Sequence, residues 1–208
     1  MATRLTGSDV KAVHITADSQ ALDADGISTA AAVGNNAALT IGGALASGGS
    51  VTLNSGQLVT ITSAGDDDEI SFTVVGTDIF DAALTESVTG ANAGVATSSN
   101  FFKTVASITA AGDPAGNVKA GVSASCADNI FAGPARLKGA YIVNSGTAGT
   151  IKFRTTSVSG TTLMEVGTVA SATVTRDITI PEEGMRFPSG IIITYTGGTF
   201  TSITAFHA

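Results

Sequence analysis

The chain has 208 residues, of which 13% are charged, and its 10 Lys and Arg against 17 Asp and Glu give a net charge of −7. This balance argues against binding to duplex nucleic acid or to an anionic membrane surface, because both attract clustered basic side chains. The single cysteine, Cys126, excludes an intrachain disulfide framework, and the first residues lack the apolar core of a signal peptide. We therefore expect a protein made in a cytoplasm whose surface consists mostly of Thr, Ser, Gly and Ala.

The first 36 residues show the weakest secondary-structure pattern in the sequence. Residues 3–15 have room for one short strand, and the stretch DADGISTAAAVGNN combines turn residues with small side chains. Neither part shows an apolar periodicity that would form a core of its own. We interpret residues 1–36 as an extended N-terminal arm or a linker.

Residues 37–122 form a first β module, with strand-like runs separated by turns about every ten residues. ALTIGGAL and SVTLNSG indicate two strands and a Gly-Gly turn, and in QLVTITSA the side chains of Val59 and Ile61 share one face. After the acidic stretch AGDDDE, Ile70, Phe72 and Val74 again share a face. This spacing is typical of a β-sandwich or barrel.

A second β module follows over residues 130–208. The stretch at 110–117, AAGDPAGN, is a clear break, and the broader boundary is expected near 123–134, SASCADNIFAGP. Strand-like runs then alternate with the turns NSGTAG, PEEG and TGGT, where Gly supplies the positive φ of tight turns. The sequence therefore predicts an all-β protein of two successive β-sandwich or barrel-like modules.

Candidate catalytic residues are few and scattered. His14 and His207 lie near opposite ends of the chain, and Cys126 has no histidine or second cysteine nearby to activate it. A glycoside hydrolase would need a pair of carboxylates in a cleft. The second-half candidates for such a pair are Glu165, Asp177, Glu182 and Glu183. Since PEEG is a turn, we expect no catalytic residues and no enzyme.

Binding motifs are equally weak. Asp66, Asp67, Asp68 and Glu69 lack the regular spacing of a calcium loop, and LDADG at 22–26 lacks a distal glutamate. We interpret 66–69 as a solvated turn and expect neither a metal ion nor a cofactor. A basic stretch contains Arg136, Lys138, Lys152 and Arg154. We interpret it as a solvated face or a contact with an acidic neighbour rather than a nucleic-acid site.

Most of the chain, about 38–200, resembles β modules in structural proteins of marine tailed bacteriophages. The matching pieces of the first module are Val59–Gly65, Ile70–Asp78, Thr85–Gly94 and Phe101–Ile108. In the second module they are GPARLKGAYIVNSGTAGTIKFRTTSVSGTTLM and RDITIPEEGMRFPSGIIITYTGG. These patterns carry no catalytic or binding residues to transfer.

The resemblance implies a structural component of a virion, assembled in the host cytoplasm. A capsid decoration (cement) protein fits best, because the chain is short and lacks both fibre-shaft repeats and tailspike enzyme motifs. Its partners would be further copies of itself and other virion proteins, such as the major capsid protein or tail proteins. The alternative is a head-fibre, tail-fibre or adaptor component that binds a receptor or glycan through loops 144–149 and 181–190.

Overall fold

The computed structural model describes residues 10–16 and 22–208. Every regular element in these residues is a β-strand, which confirms the all-β expectation. The strands are β1 (Lys11–Thr16), β2 (Asp23–Ala31), β3 (Ala46–Ser47), β4 (Ser50–Ser63), β5 (Ser71–Thr77), β6 (Ala83–Thr89), β7 (Val95–Ala110), β8 (Val118–Phe131), β9 (Ala135–Asn144), β10 (Gly149–Arg154), β11 (Thr162–Thr168), β12 (Thr175–Thr179), β13 (Met185–Phe187), β14 (Ile191–Thr196) and β15 (Phe200–His207). No helix in the described residues is long and apolar enough to cross a membrane.

The chain divides into two compact units. The middle unit is the described part of 18–128, and the terminal unit is the described part of 1–17 together with 129–208. The stretch expected as a boundary, 123–134, lies mostly inside β8. Its small residues are strand residues because they pair closely with β4, where Cys126 faces Gln57 and Ala127 faces Gly56.

The segment expected as an arm or linker contains two paired strands. β1 pairs antiparallel with β15, and β2 pairs with β8. Each strand therefore obtains its backbone partners from a strand far along the chain, which explains why it shows no core pattern of its own. The rest of the expected short strand, residues 3–9, lies outside the described residues, as do 17–21.

The middle unit is an antiparallel sheet in the order β8-β4-β7-β5-β6, with β3 added to β4 and β2 to β8. The turn that joins β3 to β4 consists of Gly48 and Gly49, whose φ angles of 61° and 80° suit a glycine pair. The prediction of a strand over 38–45 is wrong, since among these residues only Ala38 forms a β-bridge, to Thr109. The backbone there instead makes single hydrogen bonds to residues of β2 and β7, such as Leu45 N to Gly26 O and Leu39 N to Ile108 O, both at 2.8 Å.

The alternation expected in β4 and β5 is confirmed at its central positions. Val59, Ile61, Phe72 and Val74 are all fully buried. One position shows how tightly these strands pack: a Cβ on Gly76 would lie 1.9 Å from the carbonyl oxygen of Thr104 in β7. Only glycine fits this approach of two backbones.

The terminal unit contains two antiparallel ladders. The first has the order β1-β15-β9-β12, with β13 also paired to β9, and the second has the order β11-β10-β14. Its fully buried apolar side chains are Leu137, Ala140, Ile142, Ile151, Phe153, Phe187, Ile191, Ile192, Ile193, Ile203 and Ala205. The turn expected at PEEG is confirmed, with Glu182 and Gly184 at φ angles of 53° and 78°.

Candidate functional site

Both histidines lie in the β1·β15 ladder of the terminal unit. His14 faces Thr204, with its Nδ1 2.9 Å from the Thr204 hydroxyl, and its side chain is exposed. His207 is buried, and its ring centroid lies 4.8 Å from that of Phe131. Burial lowers the pKa of His207 from its ordinary value of 6.5, and the charge of Lys11 lowers it further. His207 is therefore a packed side chain rather than a solvent-exposed one.

The remaining catalytic candidates do not assemble into a site. Cys126 is fully buried in the middle unit, and its Sγ lies 3.6 Å from the carbonyl oxygen of Ala124. Glu165 lies on β11, Asp177 on β12, and Glu182 and Glu183 in the turn before β13. In the described part of the chain, no group of three or more His, Cys, Asp or Glu side chains could hold a metal ion.

The acidic stretch 66–69 differs from the solvated turn that we expected. Asp67 is fully buried, whereas Asp66, Asp68 and Glu69 are exposed. The Asp67 Oδ1 accepts a hydrogen bond of 2.7 Å from the backbone N–H of Ala115, and its Oδ2 has no hydrogen-bond partner. A carboxylate takes this buried place because it joins the β4–β5 loop to the β7–β8 loop.

The basic stretch is divided between β9 and β10. Lys152 forms an ion pair with Glu165 at 3.9 Å, which matches the expected contact with an acidic neighbour. Arg154 donates to the Thr194 hydroxyl at 2.9 Å and to the Gly160 carbonyl at 2.8 Å. These two cations thus belong to the structure of β10 and its neighbours.

Arg136 on β9 has a different setting, because it lies directly opposite Arg186 on β13. Paired residues of an antiparallel ladder project their side chains from the same face of the sheet. The two arginines line a cavity of about 300 Å³ together with Pro134, Ala135 and Ala208. We call this feature the paired-arginine pocket.

The turn before β13 holds Arg136 in position. The Arg136 guanidinium donates to the carbonyl oxygens of Glu183 and Gly184 at 3.5 and 3.4 Å, and it lies 3.7 Å from a carboxylate oxygen of Glu183. Lys138 donates to the carbonyl oxygen of Glu182 at 2.9 Å. The Glu183 carboxylate therefore lies beside the guanidinium of Arg136, and the Glu183 side chain is itself 82% exposed.

An uncharged face covers the outer side of β5 and β6 in the middle unit. Paired across these strands, its members are Ser71 with Thr89, Thr73 with Ser87, Val75 with Thr85, and Thr77 with Ala83. The β6 members of this set are all exposed. β6 ends the strand order, so its second edge carries no strand among the described residues. We call this set the β5–β6 face.

The opposite side of β6 is fixed by Glu86. Its Oε1 accepts the backbone N–H of Ser99 at 2.6 Å, and its Oε2 accepts the backbone and side-chain amides of Asn100, both at 3.0 Å. The one carboxylate of β6 is thus occupied within the unit. The Glu86 side chain projects from the side of β6 opposite the β5–β6 face.

Sequence reasoning identified Arg136 but missed its partner, Arg186. The signal that could have found Arg186 is the alternation in Met185-Arg186-Phe187, where a basic residue lies between two apolar ones. No protein-family model, no curated protein and no solved structure matches the chain.

Proposed function

We propose that the protein is a structural component of a bacteriophage virion, a capsid decoration protein that stabilises the particle through subunit contacts. The proposal is supported by the resemblance of its two β modules to phage structural proteins and by the low charge of the chain. Its mechanism is passive: a protein that binds the assembled particle and not the free subunits stabilises the assembled state by mass action.

The β5–β6 face is the observation that carries this proposal. Natural proteins protect exposed sheet edges with lysines, prolines, bulges or a covering segment. The outward residues of β6 are Ala83, Thr85, Ser87 and Thr89, and none of them is charged or a proline. An edge without these protections suits pairing with a strand of another subunit, in which backbone hydrogen bonds supply the affinity.

Exposed apolar side chains of the same unit support this interpretation. Val75 on the β5–β6 face is 36% exposed, and Phe80, in the connection between β5 and β6, is 41% exposed. Single exposed apolar residues are ordinary on a protein surface. Their position beside an uncharged edge suits burial against a neighbouring subunit.

The experiment places a charge on the proposed contact. Purified wild-type protein should sediment as a homo-oligomer and should bind virus particles that lack it. Thr85→Lys should weaken both associations, because a lysine on an edge strand disfavours strand pairing. Thr201→Lys is the matched control, since Thr201 is an exposed strand residue of the terminal unit.

A wild-type chain that stays monomeric at all concentrations and does not bind the particles would overturn the proposal. Binding to a glycan array that depends on loops 144–149 or 181–190 would favour a receptor-binding fibre component instead.

A further inference from the structure

The paired-arginine pocket presents two like charges on one ladder position. Side chains of directly opposed residues lie about 4.5–5.5 Å apart at Cβ, and like charges placed there destabilise the pairing. Arg136 has Glu183 at 3.7 Å, whereas Arg186 has no ion pair within 4.0 Å among the described residues. Arg186 is exposed, so its guanidinium is available to a further anion.

The shape of the pocket suits the side chain of an acidic residue. Its volume of about 300 Å³ admits a carboxylate with its aliphatic stem, and Pro134 and Ala135 supply an apolar wall. Ala208 exchanges two backbone hydrogen bonds with Arg136, at 2.7 and 3.0 Å. Two guanidinium groups can hold a carboxylate through charge-assisted hydrogen bonds.

The chain itself carries a matching anion. Asp66, Asp68 and Glu69 are exposed around the buried Asp67, and none of them has a cation within 4.0 Å among the described residues. Because Asp67 is anchored to Ala115, the turn presents these acids on a fixed backbone. An ordered turn loses less conformational entropy on binding than a mobile loop would.

Net charge limits how two copies can meet. Each copy carries −7, so copies repel each other on average and a contact between opposite local charges offsets this repulsion. We infer that the paired-arginine pocket of one copy receives the acidic turn, Asp66–Glu69, of a second copy. This inference rests on the proposed function, since it names a second contact, besides the β5–β6 face, through which copies of the chain associate.

The contact joins two different surfaces. Such a heterologous contact produces closed rings when the rotation between copies closes and open chains when it does not. Salt should weaken it, because the Debye length falls from about 10 Å at 0.1 M to about 3 Å at 1 M ionic strength.

The test reverses one charge on each side. Arg186→Glu and Asp68→Arg should each weaken self-association of the full chain at low salt by at least about tenfold in sedimentation velocity, equivalent to about 1.4 kcal/mol. Mixing the two variants should restore association, since each then supplies the charge that the other lacks. The matched controls are Arg176→Glu and Asp25→Arg, which change the net charge equally at exposed positions elsewhere.

The outcomes separate this contact from the proposed function. If the wild type associates and Arg186→Glu associates equally well, the chain assembles through another surface and the inference is wrong. Failure of the mixed variants to reassociate, when each alone melts like the wild type, also overturns it. A wild type that stays monomeric at low salt refutes the contact and leaves particle binding as the remaining test of the proposed function.

Discussion

Replacing Glu86 should loosen the edge of the middle unit. Its carboxylate accepts three hydrogen bonds from Ser99 and Asn100, at 2.6, 3.0 and 3.0 Å. Hydrogen bonds to a charged group contribute about 1.5–3 kcal/mol each where water is excluded. Ser99 and Asn100 are exposed, so water can replace the lost acceptor and the cost is smaller. We expect Glu86→Ala to lower the free energy of unfolding by about 1–2 kcal/mol.

Two comparisons isolate this effect. Glu86→Gln keeps one carbonyl acceptor and should cost about half as much. Glu69→Ala removes an exposed acid without a described hydrogen bond and should change stability by less than about 0.5 kcal/mol. Urea unfolding measures all three variants, and amide hydrogen exchange should accelerate selectively at Ser99 and Asn100 in Glu86→Ala. Equal stability of Glu86→Ala and Glu69→Ala, with unchanged exchange at these amides, would refute the reasoning.

Three further predictions use the same assays. Gly76→Ala should destabilise the middle unit by more than about 2 kcal/mol in urea, because the strands cannot separate locally to admit the added Cβ. Gly34→Ala is the control: no atom lies within 4 Å of its added Cβ, and it should change stability by less than about 1 kcal/mol. The pKa of His207 is lowered on folding, so the unfolded chain binds the proton at higher pH than the folded chain. The free energy of unfolding should therefore decrease as the pH falls from 6.5 through the folded pKa, and His207→Phe should remove this part of the pH dependence. Thermal melts as a function of pH measure this, and melting temperatures of the two proteins that shift in parallel would contradict it. Asp67→Ala should cost about 1 kcal/mol, because the partly buried N–H of Ala115 loses its acceptor. Calcium should leave the wild-type melting temperature unchanged, and a rise with calcium that Asp67→Ala abolishes would contradict this.

Local alternation predicted the strands that pair with neighbours in the chain. β5 follows a regular period of two, so its buried residues, Phe72 and Val74, could be read from the sequence. β4 is harder because its pairing shifts register between Thr52 and Gln57 and between Leu58 and Thr60. Such irregularities place consecutive residues on the same side, which hides the alternation.

Pairing between distant strands could not be predicted. β1 obtains its partner from β15, and the His14–Thr204 hydrogen bond spans 190 positions. A strand completed by a partner so far away needs no core of its own, and its sequence then resembles a linker. The paired-arginine pocket was missed for the same reason, since Arg136 and Arg186 meet only through the β9·β13 register.

The burial of single polar residues also could not be predicted from the sequence. Asp67 lies between two exposed acids, and nothing in the run Asp66–Glu69 distinguishes it from its neighbours. Its place is decided by the Ala115 N–H, which belongs to a loop about fifty positions later. Hydrogen-bonding needs of a distant backbone determine such positions, and local propensity carries no trace of them.

The small residues of this chain fall into two groups, and only one of them concerns the proposed assembly. Inside the middle unit, glycines let backbones approach: a Cβ on Gly121 would lie 1.9 Å from the carbonyl oxygen of Asp23, as one on Gly76 would from Thr104. These residues are needed whether or not the protein has a partner. On the β5–β6 face, the Ser87 hydroxyl is hydrogen-bonded to that of Ser71, whereas Thr85 is exposed and no packing requires it to be small or uncharged. Thr85 is therefore the residue whose chemistry the proposed interaction surface would explain, and a charge at this position tests that explanation without disturbing the core.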